Sequence, residues 1–420
     1  MGKRTYRAID FHRVDWTELA RRVSGDRVIF AIDAAKKDFV GVMMDDDRRG
    51  LVTIRWRHPR DTRALIERLG ALPVDVEAVL EPTGTYADPL RYQLGRAGIA
   101  VQRMPPKRVS DAKEIYDGVP SLHDGKSAYV IARLHLEGVG ARWEERTEQR
   151  RSQQARSNQL GFCRDQLQRV HNRLEAQLAR HWPEAEEVLD LDAASLLRLL
   201  SAYGSPGAVA ADETRARALL ADTGGRMLAA EKIDALLSSA RTTLGMPCLE
   251  AEAAVIRELA GQLLALQAQR RRLERALRAA TEQDPGISAQ RETVGAVTAA
   301  ILHADLGDAR DYPDAGSYAK AAGLHLREHS SGQYQGQLRL TKRGPGTARL
   351  YLYFAVLRWI ARAGPARRWY EAKVARDGGC RKKAIAALMR KLARALWHVG
   401  QGEVFDETKL FDEGAPAPGA

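Results

Sequence analysis

The first 136 residues alternate short apolar segments with amphipathic ones, and this alternation constrains the fold more than any other feature of the chain. Three segments rich in apolar and β-branched residues come first and predict a meander of three strands: VIFAID (28–33), FVGVMM (39–44) and LVTIRW (51–56). A helix, a strand, a helix, a strand and a helix are then predicted over residues 61–69, 76–82, 86–96, 99–104 and 125–136. The sequence therefore predicts helices packed on a mixed sheet.

The predicted order β-β-β-α-β-α-β-α is that of the ribonuclease H-like fold, in which three antiparallel strands lead into parallel β-α units. We predict an α/β domain of this RuvC-like type over residues 28–144, after a polar N-terminal arm over residues 1–27. The N-terminal segment lacks the apolar core of a signal peptide, and no run is long enough for a membrane helix. The sequence thus predicts a cytoplasmic protein without a membrane partner.

Residues 145–283 lose the strand signals and become rich in Arg, Glu, Ala and Leu, which predicts a helical middle region with a small helical insert over residues 183–247. Two apolar seams alternate spacings of three and four residues: Leu160, Cys163, Leu167, Val170 and Leu174, and then Ile256, Leu259, Leu263, Leu266, Arg270, Leu273 and Leu277. The seams predict either a helical hairpin within the chain or a coiled coil between chains.

Residues 284–402 predict a compact, mainly helical domain around the polar loop HSSGQYQGQLRLTKRGPG, followed by a disordered tail over residues 403–420. The segment VGAVTAAIL resembles the second half of a helix-hairpin-helix, which presents backbone N–H groups to DNA phosphates.

The charge of the chain is concentrated towards its C-terminal end. The whole chain carries a net charge of +12, whereas residues 339–394 hold 16 Lys or Arg against two acids. Such a surplus is typical of a protein with a phosphate-bearing partner, and ribosomal, chromatin and membrane-surface proteins can share it. We expect a nucleoid-associated protein. The three cysteines lie far apart, without a CxxC spacing or a neighbouring His cluster, so the sequence indicates neither a zinc site nor a disulfide framework.

Three acids stand at positions that converge in a ribonuclease H-like sheet. Asp33 ends one predicted strand, Glu81 ends another, and Asp124 precedes a helix. Clustered carboxylates repel one another and suit Mg²⁺ or Mn²⁺, the ions that assist phosphodiester chemistry. The alternative for each acid is a solitary position at a strand end or a helix cap.

Ser331 lies in the polar loop among cations that can stabilise a phosphate: Arg327, Arg339, Lys342, Arg343 and Arg349. A serine hydroxyl can attack a phosphodiester and hold the DNA end as a phosphoserine ester. Ser330 is an alternative nucleophile, and a Ser-Gly pair is otherwise an ordinary turn.

Motifs in both halves of the chain resemble, in order, those of the DEDD-type insertion-sequence transposases, relatives of the pilin-gene invertase: AIDAAKKDF, EPTGTYADPLRYQL, HDGKSAYVIARL, VGAVTAAILHADLGD, YAKAAGL, SSG and TKRGPGTAR. The resemblance implies a RuvC-like domain, a coiled-coil middle and a C-terminal transposase domain that supplies a serine nucleophile. It also implies a structured noncoding guide RNA, or bridge RNA, that pairs with target and donor DNA, and assembly as a dimer or tetramer.

Transferred by position, the resemblance makes Asp33, Glu81 and Asp124 ligands of Mg²⁺ or Mn²⁺ and Ser331 the nucleophile. The family's fourth acid is expected three residues after Asp124, where this chain has Ser127, whose hydroxyl can still ligate weakly. Asp117 or Asp111 can replace the missing acid. The family's PGIG turn is also altered, since Thr293 and Val294 precede Gly295.

We therefore expect a DNA transposase or recombinase with a composite site of acids and serine. The alternatives are a metal-dependent nuclease without covalent serine chemistry and a non-catalytic nucleic-acid-binding relative. A phosphoserine adduct with DNA separates the first alternative from the expected enzyme.

Overall fold

A computed structural model describes residues 6–82, 84–120, 123–282, 285–328, 330, 331, 336 and 338–411. The chain divides into two compact units, Met1–Glu145 (unit 1) and Arg146–Ala420 (unit 2). Each unit is described by itself.

Unit 1 is a seven-stranded sheet with helices on both faces. Its strands are β1 (Ile9–Asp10), β2 (Arg27–Ala34), β3 (Asp38–Asp45), β4 (Gly50–Arg57), β5 (Asp75–Leu80), β6 (Ala100–Arg103) and β7 (Ala141–Arg142). Its helices are α1 (Trp16–Arg22), α2 (Thr62–Gly70), α3 (Asp88–Arg96), α4 (Pro106–Asp111) and α5 (Asp124–Leu136).

The strand order is β1-β4-β3-β2-β5-β6-β7. Strands β2, β3 and β4 form an antiparallel meander, and β5 and β6 then join β2 in parallel. The predicted mixed α/β sheet is confirmed, and its topology is consistent with a ribonuclease H-like fold.

Alternate residues of the central strands enter two different cores, as the period of two in a strand requires. Phe30 and Ile32 of β2 pack with α1, α2 and α3 on one face of the sheet. Ile29 and Ala31 pack with α4 and α5 on the other face. The sheet is therefore buried on both faces, which explains why its strands read as continuous apolar runs.

The predicted N-terminal arm is wrong for the residues that the structure describes. Strand β1 pairs with β4, and Phe11 and Leu19 are buried in the core that also contains Trp56. The apolar residues in this polar segment are few, but they fall on the side that faces the sheet. Residues 6–27 therefore belong to the α/β domain.

Unit 2 is helical apart from one short hairpin. Its helices are α6 (Glu148–His181), α7 (Ala185–Val188), α8 (Ala194–Tyr203), α9 (Pro206–Ala211), α10 (Glu213–Gly224), α11 (Ala230–Thr242), α12 (Glu250–Glu282), α13 (Pro285–Val294), α14 (Ala296–Leu306), α15 (Ala315–Ala321), α16 (Gly346–Ile360), α17 (Pro365–Arg376) and α18 (Arg381–Gly400). The hairpin strands are β8 (Leu326–Arg327) and β9 (Arg339–Leu340).

The two predicted seams lie on α6 and α12, which pack against each other in opposite directions within the chain. Leu160 of α6 shares a buried cluster with Leu277 near the end of α12, while Leu178 packs with Ile256 near its start. The insert, α7 to α11, covers one end of this pair. The structure thus contains the helical hairpin, and a coiled coil between chains stays a prediction.

The remaining helices, α13 to α18, enclose a second helical core. Phe411 is buried in it, with its ring centroid 5.5 Å from that of Trp359 and 5.7 Å from that of Trp369. The predicted disordered tail is therefore wrong for residues 403–411, because these aromatic contacts hold the segment on the core. Residues 412–420 lie outside the described residues.

No helix in the described part of the chain combines the length and the apolar character that crossing a membrane requires.

Candidate active site

Asp33 and Glu81 lie side by side at one end of the parallel strand pair β2–β5. Ile32 is opposite Leu80 in the register; Asp33 is the next residue of β2, and Glu81 directly follows the end of β5. Ile32 and Leu80 both point into the core with α2 and α3. The alternation of side chains therefore directs both carboxylates to the face that α5 covers.

Helix α5 brings two further side chains to this end of the sheet. Asp124 is its first residue, and Ser127 follows almost one turn later. Buried residues such as Ala128 and Ile131 fix the helix on β2 and β3. The partial positive charge of a helix N-terminus favours carboxylates placed near it.

The charges of these acids act on one another. Burial raises the pKa of the Asp33 carboxyl, the charge of Asp124 raises it further, and a hydrogen bond from the Ser127 hydroxyl lowers it in part. Burial also raises the pKa of Glu81, with a second contribution from the charge of Asp33. No cation contributes to either shift, so this end of the sheet holds negative charge without an ion-pair partner among the described residues.

The donor set fits a hard divalent cation, which prefers carboxylate and hydroxyl oxygens. The charge repulsion that raises the pKa of Asp33 and Glu81 is the repulsion that a bound cation would relieve. The carboxylate oxygens of Asp33, Glu81 and Asp124 do not all lie within 4.8 Å of one another. Among the described residues, a group of three side chains in unit 2 is that close together. Asp124 is exposed, so its side chain has room to move towards the other two.

Neither of the two acids that can replace the missing fourth ligand is free. Asp117 accepts hydrogen bonds from the buried Lys126 ammonium at 2.8 Å and from the Tyr6 hydroxyl at 3.2 Å. Asp111 is paired with Lys107 on α4. The structure therefore brings Ser127, and neither Asp117 nor Asp111, into the electrostatic environment of Asp33.

Ser331 lies in the loop that connects β8 and β9 and is exposed to solvent. Its neighbour Ser330 is held in place, because its hydroxyl donates to Glu328 at 2.8 Å and accepts from the Gly336 N–H at 3.2 Å. The Ser331 hydroxyl has no such hydrogen bond within the described residues. Of the two serines, Ser331 is therefore the one whose oxygen is available to a substrate.

Four of the five predicted cations surround this loop as exposed side chains. Arg327 and Arg339 are directly opposite each other in the hairpin, and Lys342 and Arg343 follow β9. None of the four pairs with an acid in the described part of the chain. Like charges held so close together favour a polyanion between them.

Arg349 differs from these four cations. It is partly buried, its guanidinium donates to the carbonyls of Ala322 and Gly344 at 3.3 and 2.8 Å, and burial lowers its pKa. This side chain fastens the start of α16 to the turn after α15.

Asp305 is a site residue that sequence reasoning missed. One of its carboxylate oxygens accepts from the Ala348 N–H in the first turn of α16 at 2.9 Å, and the other accepts from Gln154 at 2.8 Å. Asp305 thereby anchors the helix that follows the basic loop. The available signal was a single acid within the apolar helix VTAAILHADL.

Two family models match the chain. A DEDD-type transposase model matches residues 30–183, which include Asp33, Glu81, Asp124 and Ser127. A model described as "Transposase IS116/IS110/IS902 family" matches residues 290–371, which include Ser331 and the cations around it.

Two curated proteins are similar in sequence. "Insertion element IS110 uncharacterized 43.6 kDa protein" of Streptomyces coelicolor is 26% identical over 358 residues, which cover 83% of this chain and 87% of that protein. "Probable family 20 transposase" of Pseudomonas aeruginosa is 32% identical over 187 residues, which cover 43% of this chain and 53% of that protein.

Proposed function

We propose that this chain, an insertion-sequence transposase of the IS110/IS116 family, cuts and rejoins DNA through a covalent serine–phosphate intermediate. Cleavage and rejoining of DNA follow from the family. The serine intermediate, the divalent ion and the guide RNA are further parts of the proposal.

The observation that carries the serine chemistry is the exposed hydroxyl of Ser331 among four exposed cations, none of which has an ion-pair partner among the described residues. Its Oγ attacks a phosphodiester, so that an Oγ–P bond forms and one bond from phosphorus to a sugar oxygen breaks. The serine releases its proton, and the departing sugar oxygen takes one up. The reverse attack by a sugar hydroxyl of another strand rejoins the DNA without a further energy source.

The cations of the loop have two roles in this step. They hold the phosphate groups of the DNA, and they stabilise the additional negative charge that develops on the attacked phosphate. Arg327 and Arg339 are suited to both roles, because a guanidinium can donate two parallel hydrogen bonds to one phosphate.

The acids of unit 1 would hold Mg²⁺ or Mn²⁺ through Asp33, Glu81 and Asp124, with Ser127 as a weak fourth donor. The DEDD type of the family suggests the use of a divalent metal. Such an ion supplies electrostatic stabilisation of phosphate oxygens when it is bound. The Ser127 hydroxyl lies near Asp33 and lowers the pKa of its carboxyl in part.

The guide RNA and the assembly as a dimer or tetramer rest on the family resemblance. The exposed cations around the serine loop support a nucleic-acid partner but do not distinguish RNA from DNA. Sequencing the RNA that copurifies with the protein tests this part. Recovery of one noncoding segment flanking the gene is expected, whereas RNA without such enrichment would contradict guidance.

The proposal is tested by incubating the protein with DNA of its element's ends, its flanking noncoding RNA and Mg²⁺, followed by denaturing electrophoresis. The wild-type chain should form a protein–DNA adduct and recombined DNA. Ser331→Ala should abolish both, whereas the neighbouring Ser330→Ala should retain them. Recombination by Ser331→Ala at the wild-type rate would rule out Ser331 as the nucleophile.

The acidic cluster favours a second candidate, a metal-dependent nuclease in which the unit 1 acids alone carry out the cleavage. This candidate predicts cleavage without an adduct and full activity of Ser331→Ala. The same experiment therefore separates the two mechanisms.

A further inference from the structure

His181, the last residue of α6, has one ring nitrogen that the fold leaves without a partner. Its side chain is fully buried. Nδ1 lies 3.2 Å from the Met246 carbonyl oxygen and donates to it, whereas Nε2 has no hydrogen-bond partner in the described part of the chain. A hydrogen bond from one ring nitrogen to a backbone carbonyl fixes the tautomer and aims the other nitrogen, as is usual for histidines that bind metals.

The free Nε2 faces the Glu252 carboxylate near the start of α12, and the Cys248 thiol lies close by in the loop before that helix. Ligand atoms of His181, Cys248 and Glu252 all lie within 4.8 Å of one another. The carboxylate is oriented by the Leu249 N–H, which donates to its second oxygen at 2.9 Å. Cys248 is half-buried and forms no disulfide. Its thiol has only the Leu249 carbonyl at 3.7 Å as an acceptor, which is a weak contact.

The distance between His181 and Glu252 is unsuited to a direct bond. Nε2 lies 3.6 Å from the nearer carboxylate oxygen, which is too long for a hydrogen bond. When Nδ1 carries the proton of the neutral ring, the lone pair of Nε2 points at the negatively charged Glu252 oxygen, and the two repel each other. A tetrahedral ion about 2.1 Å from both atoms would hold them ~3.4 Å apart, close to the observed separation.

The backbone around the three side chains is fixed independently of any ion. The Met246 N–H donates to the Arg180 carbonyl at 2.8 Å, and Glu184 accepts from the Leu244 N–H at 2.7 Å. Gly245 lies against the His181 carbonyl, where a Cβ would approach the oxygen to 2.1 Å. The loop before α12 is thereby held across the end of α6, so the three ligands need little rearrangement.

One cation competes for this site. The Arg180 guanidinium lies 3.3 Å from the Glu252 oxygen that faces His181, but its side chain is 52% exposed and can turn to solvent. An ion pair at such an exposed position contributes little. Arg180 also forms no hydrogen bond with the buried Nε2 of His181.

We propose that His181, Cys248 and Glu252 form a Zn²⁺ site that joins the end of α6 to the start of α12. Nitrogen, sulfur and oxygen donors in this combination suit zinc better than the hard ions proposed for unit 1. Binding releases the thiol proton to solvent and leaves a fourth position for water. The site is independent of the proposed transposase chemistry, since none of its residues belongs to the serine loop or the acids of unit 1.

Cobalt substitution tests the site in the full-length chain. Protein purified without a polyhistidine tag is stripped with a chelator and titrated with Co²⁺, whose bond to a thiolate produces a near-ultraviolet charge-transfer band. The wild-type band should saturate at about one Co²⁺ per chain, and Zn²⁺ should abolish it. Carboxylate sites bind Co²⁺ without this band, so the acids of unit 1 do not interfere.

Matched variants locate the ligands. Cys248→Ser should lose the band, whereas Cys380→Ser, at another half-buried cysteine of unit 2, should keep it. Glu252→Gln should weaken Co²⁺ binding at least ~10-fold, and the exposed neighbour Glu250→Gln should leave it unchanged. Zn²⁺ should raise the Tm of the wild type more than that of Cys248→Ser. Absence of the band in the wild type, or an equal band in Cys248→Ser, would overturn the site.

Discussion

At the scale of single residues, unpaired charge distinguishes the two candidate reaction sites. Asp33 and Glu81 are partly buried, and no cation among the described residues pairs with either. Burial and neighbouring negative charge raise the pKa of both carboxyls. The serine loop has four exposed cations, none of which pairs with an acid among the described residues, while the Glu328 carboxylate accepts a hydrogen bond from Ser330. In the proposed function, each site would bind a ligand of opposite charge, a metal ion in one case and a phosphate in the other.

Removal of the Asp33 charge should stabilise the protein when no divalent ion is present. Because the folded-state pKa is raised above its ordinary value of 3.8, the protonated form favours folding. The stabilisation by the protonated Asp33 carboxyl is fully present below pH 3.8, and it is lost as the pH rises through the folded-state pKa. Asp33→Asn keeps it, so the variant should have a higher Tm than the wild type at neutral pH in chelator.

The control for this prediction is Glu67→Gln, at an exposed position of α2, which should melt like the wild type. Mg²⁺ or Mn²⁺ should raise the Tm of the wild type and have little effect on Asp33→Asn. A lower Tm for Asp33→Asn in chelator at neutral pH would contradict the electrostatic interpretation.

Arg343 should contribute to DNA binding, whereas Arg349 should contribute to the stability of the fold. Arg343→Gln should weaken DNA binding and reduce the slope of log affinity against log salt by about 1, with an unchanged Tm. Arg349→Gln should lower the Tm, since it removes hydrogen bonds to the carbonyls of Ala322 and Gly344. Fluorescence anisotropy at several salt concentrations and thermal melting check both. An unchanged slope for Arg343→Gln would remove it from the DNA-binding surface.

At the scale of secondary-structure elements, two helix starts position the chemistry. Helix α5 presents Asp124 and Ser127 to the acids of the sheet, and α16 begins directly after the basic loop. The first turn of α16 has no cap from its own N-cap residue, Pro345. It depends on the Asp305 carboxylate of α14 instead.

Asp305→Ala should therefore loosen the start of α16. The Ala348 N–H loses its acceptor, and the Gln154 amide keeps only its bond to Asn158. We expect a loss of about 1 to 2 kcal/mol in the free energy of unfolding. Urea denaturation measures this change. Asp311→Ala, at an exposed position nearby, should change the stability by less than about 0.5 kcal/mol. Equal stability of the two variants would show that the cap contributes nothing.

The strands and helices of unit 1 could be predicted because their pattern is local. Apolar runs placed β2, β3 and β4 within about two residues of their observed bounds. The N-terminal segment was mispredicted because Phe11 and Leu19 become core residues only when β1 pairs with β4. In the same way, the seams on α6 and α12 predicted an apolar contact, but their spacing does not distinguish a partner in the same chain from one in another.

The candidate sites follow the same division. Strand ends and the serine motif predicted Asp33, Glu81 and Ser331 as site residues, and their roles stay predictions. The group His181, Cys248 and Glu252 was not predicted, because the helical insert separates the histidine from the cysteine in the sequence. Only the antiparallel packing of α6 on α12 brings them together.

At the scale of the whole molecule, the chain consists of two units with separate hydrophobic cores. The two core clusters of the sheet lie entirely within unit 1, and the helical clusters lie entirely within unit 2. The strong positive surplus of residues 339–394 belongs to unit 2 alone. We therefore expect each unit to fold without the other.

A fragment of residues 1–145 should fold on its own, since every cluster that stabilises it is retained. Circular dichroism should show a cooperative thermal transition, and Mg²⁺ or Mn²⁺ should raise its Tm. The fragment should form no covalent adduct with DNA because it lacks Ser331. A fragment without a cooperative transition would show that unit 1 depends on unit 2 for its stability.

The most direct test of the serine mechanism is to identify the amino acid that carries the DNA. The adduct formed by the wild-type chain is digested with protease and nuclease, and the peptide that retains a nucleotide is sequenced by mass spectrometry. We predict a phosphoester on the hydroxyl of Ser331. Attachment to another residue, Ser330 included, or recombination without any covalent adduct, would contradict this mechanism.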